Sequence, residues 1–97
     1  MELSLGPYSI RVISDEQTDI LLAEDGHEGD SDVKRGIIRV RSDLDHARRR
    51  EVLVHELLHH VIHLTHLEAR WSDEEQEEVI RALSPWLATA VTPSTFD

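Results

Sequence analysis

Residues 55 to 59 read His-Glu-Leu-Leu-His, and on a helix that spacing has a chemical meaning. Side chains four apart share one face, so His55 and His59 can present imidazole nitrogens to a common point at metal-ligand distance. Zinc suits such a pair. Glu56 projects about 100° around the axis, outside that coordination sphere but within reach of a water held beside it. The chemistry implied is hydrolysis: a metal acidifies a water, the glutamate takes its proton, and the proton passes to a leaving amine.

Two histidines leave the site incomplete, because catalytic zinc ordinarily takes three protein ligands and keeps one position open. The extended pattern with a third histidine ten residues after the first is not met, since that position is Thr65. His63 and His66 continue the stripe of His55 and His59 but lie two and three turns along the rod, too far to close the same tetrahedron. They read as solvated or supporting histidines, and His60 points away from the stripe. The third ligand is therefore expected from the acidic segment "SDEEQEEVIRAL". There Glu78 points nearly opposite the apolar face. Glu75 stands three after Ser72, the spacing of a capping box, while Glu77 flanks the apolar face and is the first choice, with Glu75 next. Acid enrichment in a helix's first turn is also what the macrodipole favours.

Elements must exist to hold these residues. Tyr8 to Ile13 alternates in the manner of a strand after Gly6 and Pro7, and Ile37 to Arg41 follows a Lys34-Arg35-Gly36 turn as a second one. Ile20 to Ala23 fits either a strand or a helical turn, and "EDGHEGDSD" has the composition of an exposed loop. From about Leu44 to Leu64 no Gly or Pro interrupts a helical apolar pattern, with Ser42 or Asp43 as its cap. A second helix starts at Ser72 or Asp73. Val79, Ile80, Leu83, Trp86, Leu87, Ala90 and Val91 mark its expected buried face, Pro85 implies a kink or short break, and Pro93 ends the ordered part. The expectation is an α+β fold, with a small antiparallel sheet of about three strands packed against two main helices, in one domain with an ordered core over about residues 6–91.

Composition bounds the partners. Ninety-seven residues with 39% hydrophobic content support one modest core. Twenty acidic against ten basic residues, a net charge of −10, repel phosphate backbones and anionic lipid, so neither nucleic acid nor membrane is an expected partner. The run Arg48, Arg49, Arg50 reads as a solvated helix face. Cysteine is absent, which excludes thiolate metal sites and fits a reducing cytoplasm. No signal peptide or membrane span is apparent, and a soluble intracellular protein is expected.

The strand before the motif, the HELLH helix and the glutamate-led "VIRALSPWL" helix together resemble the small gluzincin-type zinc peptidases of the ImmA/IrrE kind, in particular the short phage-encoded versions. The resemblance spans roughly residues 30–90. It implies Zn2+ as cofactor, a protein or peptide substrate, His55 and His59 as zinc ligands, Glu56 as general base and the second helix's glutamate as third ligand. It also implies that Ile37 to Arg41 is the edge along which an extended peptide lies. Larger relatives carry Asn or Asp four residues after that glutamate; here the position is Arg81 counted from Glu77, or Val79 counted from Glu75. For the oxyanion stabiliser, His63 and His66 are the candidates. The alternative reading is a catalytically inactive module of the same fold that serves protein-protein contact, with zinc structural or absent.

Overall fold

The computed structural model describes residues 1–90. Along the chain come β1 (Glu2–Leu5), β2 (Tyr8–Ile13), α1 (Glu16–Glu24), β3 (Gly29–Asp32), β4 (Ile37–Val40), α2 (His46–Leu64), a 3₁₀ turn (Leu67–Ala69) and α3 (Asp73–Ala88). The α+β class is as expected. The sheet differs: it has four strands in the order β1-β2-β4-β3, and it is mixed. β1 pairs antiparallel with β2 and β3 with β4, whereas β2 and β4 run parallel. That parallel pairing arises because α1 and β3 intervene between β2 and β4, and a crossover returns the chain in the same direction.

Composition hides two of the strands. β1 is short and begins before the expected core, and β3 has the sequence Gly-Asp-Ser-Asp, without a single β-branched or aromatic residue. Tertiary pairing with β4 makes it a strand. Ile20 to Ala23 belongs to α1, whose cap Asp15 accepts a hydrogen bond from the Thr18 amide at 2.7 Å. α2 starts slightly later than the pattern implied, with Asp45 as its cap accepting from the Arg48 amide at 2.8 Å.

Strand alternation puts Ile10 and Val12 of β2 beside Ile38 and Val40 of β4 on one sheet face, where they bury Val52 and Leu53 of α2. α2 also contacts β3 and α3, so it joins sheet and helix layers. The rotation of α3 departs from expectation. Its buried residues are Ile80, Ser84 and Ala88, spaced by four, while Leu83 and Leu87 are exposed and Trp86 is 80% exposed. Small side chains at 84 and 88 permit close packing there, and burial of the 80–84–88 face, rather than of the bulkiest apolar stripe, sets the rotation of the helix. Ala90 is exposed, and Val91 and Pro93 lie outside the described residues. Pro85 sits within a helix that continues through it to Ala88 without a break. No helix among the described residues is long and apolar enough to cross a membrane.

This register has a measurable consequence. Ser84→Leu should force the helices apart and lower stability by about 1–3 kcal/mol, whereas Trp86→Lys should stay within about 0.5 kcal/mol of the parent. Urea midpoints check both, and the opposite ranking would restore the face implied by the apolar pattern.

Candidate metal centre

One helical turn separates His55 from His59, which sets their ring centroids 5.3 Å apart with the planes tilted by 60°. Glu77 reaches them from α3. Its Oε1 lies 2.9 Å from His59 Nε2, and its Oε2 lies 3.5 Å from His55 Nε2. The three residues offer one ligand atom each within 4.8 Å of one another, and they form the one such group found among the described residues. Around a tetrahedral ion with bonds of about 2.0–2.2 Å, neighbouring ligand atoms sit roughly 3.3–3.6 Å apart. Two imidazole nitrogens and a carboxylate oxygen this close together make a group that could hold a metal ion.

The placement of Glu77 follows from the start of α3. Ser72 Oγ accepts from the Glu75 amide and Glu75 Oε1 accepts from the Ser72 amide, each at 3.1 Å, a reciprocal capping box. That occupies Glu75. Buried Ile80 then sets the rotation, and Glu77, three residues earlier, comes onto the flank facing α2 while Glu78 remains exposed.

Glu56 is only 7% exposed. It lies beneath β3, where the Ser31 hydroxyl donates to Glu56 Oε1 at 3.3 Å and to the Glu56 carbonyl at 3.1 Å. Burial pushes its carboxyl up to about 7, opposed by the Ser31 hydrogen bond and assisted by the negative charges of Asp30 and Glu77. A carboxylate so tuned can take and return a proton near neutral pH. Gly29 makes this approach possible. A Cβ there would lie 2.5 Å from Val52 Cγ1, 2.9 Å from the Arg39 carbonyl oxygen and 3.6 Å from Glu56 Cγ. Burial also holds the His55 imidazole below its ordinary value, with the Glu77 carboxylate pulling the other way.

A cleft of about 910 Å³ opens over these groups, lined by Gly29 and Ser31 of β3, His55, Glu56 and His59 of α2, and Glu77 and Arg81 of α3. The strand beside it corrects one expectation: β4, the Ile37 to Arg41 segment, lies between β2 and β3, and the sheet edge is β3. The Arg41 amide donates to the Glu28 carbonyl at 2.9 Å, so in the antiparallel register the main-chain groups of Gly29 and Ser31 point away from β4. Arg48 ties the start of this edge to α2, donating to both Glu28 carboxylate oxygens at 2.9 and 2.7 Å and lying 3.2 Å from Glu51.

The remaining histidines fall elsewhere. His63 Nδ1 is 3.1 Å from Glu68 Oε2, and His66 takes a left-handed conformation (φ 60°) beyond the end of α2. Neither lines the cleft. His60 does leave the stripe, and it is 1% exposed in the core, where burial lowers its pKa. Composition gave no hint of Gly29 or Ser31, which sit in a loop-like stretch. Arg81 carried a usable signal, standing four residues after Glu77 on the same helix face.

Comparison with known proteins adds one match. The family model for peptidase M78, described as the IrrE N-terminal-like domain, covers residues 9–90. No curated protein and no solved structure matches the chain.

Two outcomes test the geometry. Because the native Glu56 carboxyl binds its proton more tightly than an unfolded one (ordinary value 4.5), its contribution to metal-free stability is present below pH 4.5 and is lost as pH rises to about 7. Metal-free Glu56→Gln should therefore outlast the parent at pH 8, by up to about 3 kcal/mol, with the gap narrowing towards pH 5; a pH-independent gap in chemical denaturation would refute the burial argument. Gly29→Ala should lower stability by about 1–3 kcal/mol through overpacking, visible as a reduced thermal midpoint.

Proposed function

The chain belongs to the peptidase M78 family, and from that premise we propose that it is a zinc-dependent metallopeptidase that hydrolyses a peptide bond in a protein substrate. The observation that supports this best is a convergence: two imidazoles and a carboxylate meet at one point, and a buried glutamate with a pKa raised to about 7 adjoins them.

In this reading His55, His59 and Glu77 hold the ion. Zinc, when bound, supplies Lewis acidity towards the scissile carbonyl and makes water easier to deprotonate. Glu56 accepts the proton as the water oxygen attacks the carbonyl carbon, then gives it to the departing amine as the C–N bond breaks. The Ser31 hydroxyl fixes the orientation of the Glu56 carboxylate. An extended peptide can add to β3 through the outward main-chain groups of Gly29 and Ser31, with hydrogen bonds independent of its sequence. With a net charge of −10, the expected partner is a protein or peptide rather than nucleic acid, and a chain without cysteine suits a reducing, intracellular setting.

A second reading is a catalytically inactive interaction module on the same fold. It is favoured by the exposed stripe of Leu83, Trp86 and Leu87 on α3, since contiguous apolar surface commonly marks a protein contact.

Protein purified without a histidine tag should carry about one zinc per chain, and His59→Ala or Glu77→Gln should bind it much more weakly. Glu56→Gln should keep the metal yet cleave unstructured casein roughly 10²- to 10⁴-fold more slowly. Metal-free protein that gains no thermal stability from added zinc would defeat the peptidase reading; zinc uptake with no cleavage by either form favours the module.

A further inference from the structure

We propose that Arg81 is the oxyanion-binding group of the cleft, its guanidinium neutralising the charge that develops on the scissile carbonyl oxygen; this rests on the metallopeptidase reading above. Hydrolysis needs positive charge at that oxygen, and preorganised donors there commonly contribute a large share of catalysis. The cleft has two walls. Glu56 lies beneath the β3 wall, held by Ser31, and Arg81 lines the wall formed by α3. A carbonyl lodged between them would meet the base on one side and the cation on the other.

The environment of Arg81 leaves it available. Its Nε lies 3.7 Å from Glu77 Oε2, beyond a normal hydrogen bond, and the same Oε2 is 3.5 Å from His55 Nε2. The guanidinium therefore stands one carboxylate away from the point where the three ligand atoms converge. Its side chain is 76% exposed, so its donors can turn towards a bound ligand. The other arginine lining the cleft, Arg48, is engaged by Glu28 and Glu51. His27 also lines the cleft, but two residues before Gly29, on the side opposite the α3 wall that carries Arg81.

The step balances without a proton from Arg81. As the water oxygen bonds to the carbonyl carbon, the carbonyl π pair moves onto oxygen and faces the guanidinium, and Glu56 takes the water's proton. Collapse restores the C=O bond, breaks the C–N bond and returns the proton from Glu56 to nitrogen. Arg81 stays protonated throughout.

The test uses the full chain loaded with cobalt(II), whose visible spectrum reports ligands arriving at the metal. Inorganic phosphate serves as a tetrahedral oxyanion and imidazole as a neutral control. Arg81→Met should bind phosphate about tenfold more weakly, with cobalt stoichiometry and imidazole affinity unchanged, and Arg81→Lys should recover part of the loss. In casein cleavage the same variant should lose roughly 10²-fold in kcat with little change in KM. Unchanged phosphate affinity in Arg81→Met would overturn the proposal, as would equal losses for phosphate and imidazole, which would make Arg81 a support for Glu77 only. Parent protein that takes up no cobalt would overturn the metallopeptidase reading itself, and the role of Arg81 with it.

Discussion

α2 must satisfy two packing partners and a site with a single helical repeat, and the rest of the molecule follows from how it divides its circumference. At about 100° per residue, Val52, Leu53, Glu56 and His60 fall in one buried arc, and Val54 and Ile62 fall in another. His55 and His59 lie in the gap between these arcs, half-buried. Their position at the seam lets a side chain from α3 meet both rings. The same arithmetic puts Glu56 among core residues, which explains why its carboxylate is buried although it immediately follows an accessible histidine.

Burial of that glutamate is costly unless something nearby compensates, because an ionised carboxylate loses hydration in an apolar setting. Ser31 returns one hydrogen bond to it, and the strand carrying Ser31 reaches α2 only because position 29 has no side chain. Backbone closeness and proton affinity are thus coupled: a wider gap would let water reach Glu56 and bring its pKa back towards the ordinary range. The neighbouring carboxylates, Asp30 and Glu77, add to the effect by opposing a further negative charge.

Local rules made much of this legible from residues alone. The α2 motif, the Ser72–Glu75 cap and the preference for Glu77 over Glu78 each depend on helix geometry within one or two turns. Long-range pairing was opaque. Gly-Asp-Ser-Asp carries no strand propensity and becomes β3 only through its ladder with β4, which moved the sheet edge from β4 to β3. Apolar bulk does not give the face of α3, because its buried residues are Ile80 and the small Ser84 and Ala88 while Leu83, Trp86 and Leu87 stay exposed. His60 shows the reverse case, a polar residue buried in the core. The place of Arg81 on the cleft wall depends on how α2 and α3 sit against each other, which no local pattern encodes.

β3 ends the sheet with main-chain donors and acceptors unmatched on its outer side, and this bears on how the protein behaves in a crowded solution. Such an edge is a template on which a second copy could lay its own strand and begin to aggregate. Here the hazard is contained by brevity and by net charge: the strand has four residues, its aspartates Asp30 and Asp32 are paired with Arg39 and Arg35, and the chain as a whole carries −10. Two copies of a chain with this net charge repel one another, which works against pairing of the edge with its own copy.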